Sequence, residues 1–154
     1  MIRTTAFVAM AAFGAAAMAA PETYTIDADH TYPAFEADHM GGLSLWRGKF
    51  RKTTGSITLD RAAKSGTVDV TIDMGSIDFG HDKMNEHARN EDIFNVAKFP
   101  TATYKGTIAK WNGDAPTEVD GQLTMHGVTK PVKLTINSFL CKQNPMARKM
   151  TCGA

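Results

Sequence analysis

Apolar and polar residues alternate along most of the second half of the chain. Such a period of two predicts β-strands with one buried and one solvated face. Turn signals separate the alternating segments, as in residues 60–66, residues 112–114 and His126-Gly127. Antiparallel strands at this spacing favour a sandwich or a barrel. The alternating apolar positions include Val68, Val70 and Ile72; Val119, Leu123 and Met125; and Val132, Leu134 and Ile136.

The alternation is lost between His81 and Phe94. Residues 82–89 are mostly good helix formers without a β-branched run, and Asp82 is expected to cap a helix of about two turns. We therefore predict an all-β, antiparallel domain that carries a short helical insert near residues 82–95.

The first nineteen residues have the pattern of a secretory signal peptide. A cationic start at Arg3 precedes an uncharged apolar run, and Ala17-Met18-Ala19 supplies small residues for cleavage before Ala20. We expect residues 1–19 to be removed and residues 20–154 to form a single domain. The mature chain is then expected in the periplasm, without stable insertion into the membrane.

Composition excludes two classes of protein. With 17 Lys and Arg against 16 Asp and Glu, the formal net charge is +1, which argues against a nucleic-acid partner. With 43% hydrophobic and 21% charged residues, the chain is also unlike a disordered protein.

Export places Cys141 and Cys152 in an oxidising compartment, where two thiols usually form a disulfide. Asn144-Pro145 between them is a turn signal, so we predict a stapled, hairpin-like excursion. A reactive or metal-binding pair remains the alternative, although no Cys-x-x-Cys motif is present.

No catalytic motif stands out in the sequence. There is no Gly-x-Ser-x-Gly, no phosphate-binding loop and no His-Glu-x-x-His. We expect no cofactor. Two alternatives stay open, namely a metal- or haem-linked exported protein and an enzyme that modifies a bound lipid or quinone. The histidines available to the first alternative are His30, His39, His87 and His126.

Several ordered blocks of the chain resemble the YceI-like family. The resemblance covers nearly all of the mature chain, and its most distinctive block runs from Gly121 to Val132, with Met125-His126-Gly127 at its centre. The blocks are residues 24–31, 35–41, 47–50, 70–73, 76–78, 86–96, 99–100 and 121–132.

The resemblance implies a lipocalin-like antiparallel barrel of about eight strands. It also implies an apolar tunnel for a polyisoprenoid or related lipid, such as an isoprenoid quinone, a prenyl phosphate or a fatty-acid derivative. Members of the family are exported and non-catalytic, so the implied role is to carry or sequester the lipid. The family continues beyond the position of Ala154. We therefore expect a barrel that lacks its closing strands and has an open edge, at which two copies can pair as a homodimer.

Within such a barrel, alternating inward positions and the insert are expected to line the ligand site. Basic residues at the mouth are expected to bind its head group, with Arg suited to a phosphate. The predicted lining residues are Phe35, Phe50, Val70, Ile72, Phe94, Phe99, Tyr104, Leu123 and Leu134. The predicted head-group donors are His39, Arg47, His87 and Arg89.

Overall fold

The structure is a computed structural model that describes residues 20–154. The predicted signal peptide, residues 1–19, lies outside the described residues. Within residues 20–154, no helix combines the length and the apolar character needed to cross a bilayer.

The described chain is almost entirely antiparallel β-structure with one short helix, as predicted. A single 3-10 turn, Met74–Ser76, precedes β6. The elements in chain order are β1 (Glu22–Thr25), β2 (Ala34–His39), β3 (Ser44–Phe50), β4 (Thr53–Asp60), β5 (Ser65–Asp73), β6 (Ile77–Asp78), α1 (Asp82–Arg89), β7 (Thr101–Asn112), β8 (Ala115–Met125), β9 (Val128–Thr135), β10 (Leu140–Asn144) and β11 (Lys149–Gly153).

These strands form three sheets. The large sheet has six strands in the order β1-β4-β5-β7-β8-β9, the small sheet has the order β2-β3-β6, and β10 pairs with β11. In the described part of the chain, β1 and β9 are the edges of the large sheet and do not pair with each other. The expected antiparallel β-fold is confirmed, but these sheets are not closed into a hydrogen-bonded barrel.

The register of the strands places apolar residues together on one face of the large sheet. Val68 lies opposite Ile57 on β4 and opposite Gly106 on β7, and Gly106 in turn lies opposite Gly121 on β8. Because side chains alternate between the faces of a strand, the residues that share the Val68 side form one surface, called here the inner face. Its fully buried members are Leu59, Tyr104, Ile108 and Val119.

The short helix packs on the small sheet. Ala88 of α1 is buried in a core with Phe50 of β3, Ile77 of β6 and Ala102 of β7. Asn85 ties the helix to β6, because its Nδ2 donates to Asp78 Oδ1 at 3.3 Å and its Oδ1 accepts from Phe79 N at 2.7 Å.

The helix cap differs from the prediction by one residue. His81, rather than Asp82, is the N-cap, and its Nδ1 accepts a hydrogen bond from Met84 N at 3.4 Å. Asp82 is the first helical residue, where its charge still favours the helix dipole. The sequence pattern pointed to Asp82 because Asp is a far commoner cap than His.

The predicted disulfide is present. Cys141 on β10 lies directly opposite Cys152 on β11, and their sulfur atoms are bonded. The bridge therefore staples the terminal hairpin across its two strands.

Tyr104 fills the space above a glycine on the neighbouring strand. A Cβ added to Gly121 would lie 2.5 Å from both Cζ and Oη of Tyr104 and 2.6 Å from the carbonyl oxygen of Lys105. The ring is held in place because its hydroxyl donates to the carbonyl of Val132 at 2.9 Å. The centre of the inner face is thus covered by one aromatic side chain that spans three strands.

We expect Gly121→Ala to destabilise the protein by about 1–3 kcal/mol, because the new methyl group overpacks against a ring that is already fixed. Denaturant unfolding measures the change. Gly153→Ala is the matched control, since a Cβ there meets nothing within 4 Å. Equal stability of the two variants would contradict this view of Tyr104.

Candidate apolar ligand site

The inner face of the large sheet is only partly covered. Val68 and Val70 of β5, Leu123 of β8 and Val132 of β9 are half-buried around the fully buried Tyr104. Val70 lies opposite Tyr104, and Tyr104 lies opposite Leu123, so these side chains form a row across three neighbouring strands. This arrangement gives a partly exposed apolar surface.

A second apolar region lies between the small sheet and the helix. The ring of Phe35 is 5.5 Å from Phe50, 5.6 Å from Phe79 and 6.0 Å from Phe94, measured between centroids. Trp46 extends this aromatic cluster, since its ring is 6.3 Å from that of Phe79. Edge-to-face contacts of this kind are favourable geometries for aromatic pairs.

The predicted lining residues divide between these two regions. Phe35, Phe50, Ile72 and Phe94 belong to the core beside the helix. Val70, Tyr104 and Leu123 belong to the inner face of the large sheet.

Leu134, on the edge strand β9, lies opposite Val119 and therefore belongs to the inner face, where it is 41% exposed. Phe99 lies elsewhere, against His126 at the β8–β9 turn, with ring centroids 4.4 Å apart. Phe99 comes in an irregular segment after the helix, where alternation gives no information about direction.

Two of the predicted head-group donors lie on opposite faces of the small sheet. His39 shares a face with Trp46, with ring centroids 6.0 Å apart, and its Nδ1 is 3.1 Å from Ser44 Oγ. Arg47 lies on the other face, where its Nε donates to Glu36 Oε1 at 2.8 Å. His39 therefore lies on the face that carries the aromatic cluster, and Arg47 lies on the opposite face.

The other two predicted donors are on the helix. His87 is exposed in the last turn of α1, and Arg89 donates to the carbonyl oxygen of Gly75 at 3.3 Å. The structure thus gives each of His39, Arg47 and Arg89 a local partner instead of gathering the four donors at one mouth.

Sequence reasoning missed Trp46 and Phe79 as members of the apolar site. The signal for Trp46 was available, because it shares the period-two face of β3 with Gly48 and Phe50. Gly48 also marks the site, since a Cβ there would lie 2.7 Å from Phe35 and 2.9 Å from Phe79. Phe79 follows a strand of two residues, which is too short for a periodic pattern.

The polar face of the large sheet has a different character. It carries an open concavity of about 610 Å³ whose lining includes Asp69, Lys105 and Gln122. Lys105 and Asp69 form an ion pair there at 2.8 Å. Because this face carries paired charges whereas the inner face carries aliphatic and aromatic side chains, we assign the candidate apolar site to the inner face.

The hydroxyl of Tyr104 is the polar group at the centre of this site. Burial raises its pKa above the usual tyrosine range, and the nearby Asp120 carboxylate adds to the effect. The neutral hydroxyl is therefore held as a donor to the Val132 carbonyl. No three His, Cys, Asp or Glu side chains of residues 20–154 are grouped to hold a metal ion.

The fold and the site define an antiparallel β-protein with an apolar surface suited to an elongated ligand. Comparison with known families gives a match to the YceI-like domain over residues 24–151. The chain belongs to the YceI-like family.

Similar curated proteins come from several bacteria. A UPF0312 protein of Pseudomonas aeruginosa is 40% identical over 119 residues, which are 77% of this chain and 61% of that protein. Protein YceI of Salmonella arizonae is 40% identical over 114 residues, which are 72% of this chain and 59% of that protein. The matched region therefore spans about three fifths of the length of these relatives.

Two solved structures support the fold. BcnA of Burkholderia cenocepacia has a TM-score of 0.58 at 26% identity, over 73% of this chain and 68% of that chain. The YCEI protein of Campylobacter jejuni has a TM-score of 0.55 at 26% identity, over 80% of this chain and 72% of that chain.

We expect Tyr104→Phe to cost about 1 kcal/mol of stability, because the Val132 carbonyl loses its donor while the ring still covers Gly121. We also expect the Tyr104→Phe variant to lose less stability at alkaline pH than the wild-type protein. When the pKa of a tyrosine is higher in the folded than in the unfolded protein, its contribution to stability is complete below the ordinary tyrosine pKa of about 10. That contribution is lost as the pH rises through the pKa of the folded protein.

Denaturant unfolding of wild type and Tyr104→Phe from pH 8 to pH 11 measures both effects. The residual alkaline loss in the variant is expected to include Tyr24, whose pKa is raised by its hydrogen bond to Glu22. Identical pH profiles for the two proteins would contradict the assignment to Tyr104.

Proposed function

We propose that this protein binds a long apolar chain without changing it chemically and carries or sequesters it in the periplasm after removal of residues 1–19. The ligand class is a polyisoprenoid or a related lipid, such as an isoprenoid quinone, a prenyl phosphate or a fatty-acid derivative.

The observation that carries this proposal is the inner face of the large sheet. Val68 and Val70 of β5 lie on one side of Tyr104 of β7, and Leu123 of β8 and Val132 of β9 lie on the other. Each of these four residues is half-buried instead of fully buried. A chain laid across them would remove both its own apolar surface and theirs from water, which is favourable.

The magnitude is sufficient for binding. A tail that buries roughly 400 Å² of apolar surface gains on the order of 10 kcal/mol. Association and ordering of the chain cost several kcal/mol, so micromolar or tighter affinity is expected for a linear isoprenoid.

Family membership supports the same ligand class, because the resemblance of the sequence to the YceI-like family implies a binding protein for polyisoprenoids. The apolar contacts favour binding over catalysis, since aliphatic side chains supply surface but no acid, base or nucleophile. His39 is proposed as a polar contact beside the aromatic cluster, where it lies next to Trp46.

We expect Leu123→Trp to block binding of geranylgeraniol, a linear isoprenoid alcohol, by more than tenfold, because the indole would occupy the centre of the inner face. Titration calorimetry measures the affinity, and circular dichroism checks the fold. Gln122→Trp is the matched control, since Gln122 is the exposed neighbour on the opposite face of β8.

Val70→Trp tests the same surface from β5 and is expected to behave like Leu123→Trp. If both inner-face variants fold and bind geranylgeraniol as tightly as Gln122→Trp, the chain does not lie on the inner face.

A further inference from the structure

Two buried hydrogen-bond donors lie without a partner at one end of the large sheet. Among residues 20–154, the buried side-chain nitrogens without a partner are Arg61 Nε and Trp111 Nε1. Arg61 directly follows β4, and Trp111 is the last residue but one of β7. The pairing of both strands with β5 puts these two strand ends at the same end of the sheet.

Arg61 also has only weak acceptors around its guanidinium group. Its Nη2 is 2.9 Å from Cys141 Sγ and 3.4 Å from the hydroxyl oxygen of Tyr24, and the group lies over the ring of Phe139 at 5.6 Å. Sulfur is a poor hydrogen-bond acceptor. The half-buried guanidinium has no carboxylate in ion-pair contact to compensate its charge, because Asp114 lies near it but pairs with Lys64.

Nearby carboxylates are already engaged by other groups. Glu22 accepts a hydrogen bond from the Tyr24 hydroxyl, and Asp114 pairs with Lys64 at 2.7 Å. In the part of the chain that the structure describes, no carboxylate lies within ion-pair distance of Arg61.

We propose that Arg61 anchors an oxyanion-binding site, with the indole N–H of Trp111 as a second donor. The ligand chemistry is a phosphate monoester or inorganic phosphate, because the planar guanidinium fork matches tetrahedral oxyanions and makes strong, charge-assisted hydrogen bonds to them. Phosphate oxygens would satisfy donors that burial otherwise leaves unpaired. As a site for free phosphate it goes beyond the proposed function, and as a site for a lipid head group it rests on the proposed function.

The two tryptophans provide an internal comparison for the test. The chain contains two Trp residues, and Trp46 belongs to the aromatic cluster beside the small sheet. In a ¹H–¹⁵N correlation spectrum, we expect the Trp111 indole signal to shift saturably with inorganic phosphate or with geranylgeranyl phosphate, while inorganic phosphate leaves the Trp46 signal in place. The Trp111→Phe variant assigns the signal.

Arg61→Met is expected to weaken this titration at least tenfold, because a charge-assisted hydrogen bond is lost. Arg51→Met is the matched control, since Arg51 is an exposed arginine between β3 and β4 and belongs to neither proposed site. We expect it to titrate like wild type. Where Arg61→Met does not fold, Arg61→Lys replaces it and is expected to bind more weakly than wild type, because an ammonium lacks the planar fork.

A response to inorganic phosphate alone supports a free-anion site. A response that is seen with geranylgeranyl phosphate and not with inorganic phosphate supports a site for a lipid head group. The proposal is overturned if neither anion moves the Trp111 signal, or if both Arg61 variants titrate like wild type. Geranylgeraniol reports separately on the apolar site: its failure to bind rejects the proposed function, whereas its binding without any anion response rejects only the oxyanion site.

Discussion

The rest of the structure depends on one constraint, the alternation of side chains between the two faces of six antiparallel strands. Alternation places Val68, Val70, Tyr104 and Leu123 on a single face of the large sheet. Such a face must be covered by other apolar groups, because exposed apolar surface is unfavourable in water. Core packing covers its middle through Tyr104 and Val119, while the flanking residues stay half-buried. The incompletely covered part is the surface to which we assign the ligand.

Features governed by local sequence could be predicted. The strands β5, β8 and β9 followed from alternation, and the helix followed from the loss of alternation after His81. The disulfide followed from two cysteines around a turn in an exported chain. In each case the physical cause acts between residues near in sequence, so a single sequence contains the signal.

Features governed by distant contacts could not be predicted. Trp46 and Phe79 meet because β6 pairs with β3, and Arg61 reaches Cys141 from eighty residues away. Arg47 was expected at a ligand mouth because of its charge, but the register of β3 turns it towards Glu36. Charge alone does not tell which face of a strand a residue occupies when its flanking pattern is mixed.

The central claim is that an isoprenoid chain lies on the inner face of the large sheet. Photo-crosslinking with a linear isoprenoid that carries a diazirine at its tail, followed by peptide mass spectrometry, tests this contact directly. The account predicts crosslinks to inner-face residues such as Val70, Leu123 and Val132. Crosslinks confined to outward-facing residues such as Asp69 and Gln122, or to the exposed β2–β3 turn, would contradict it.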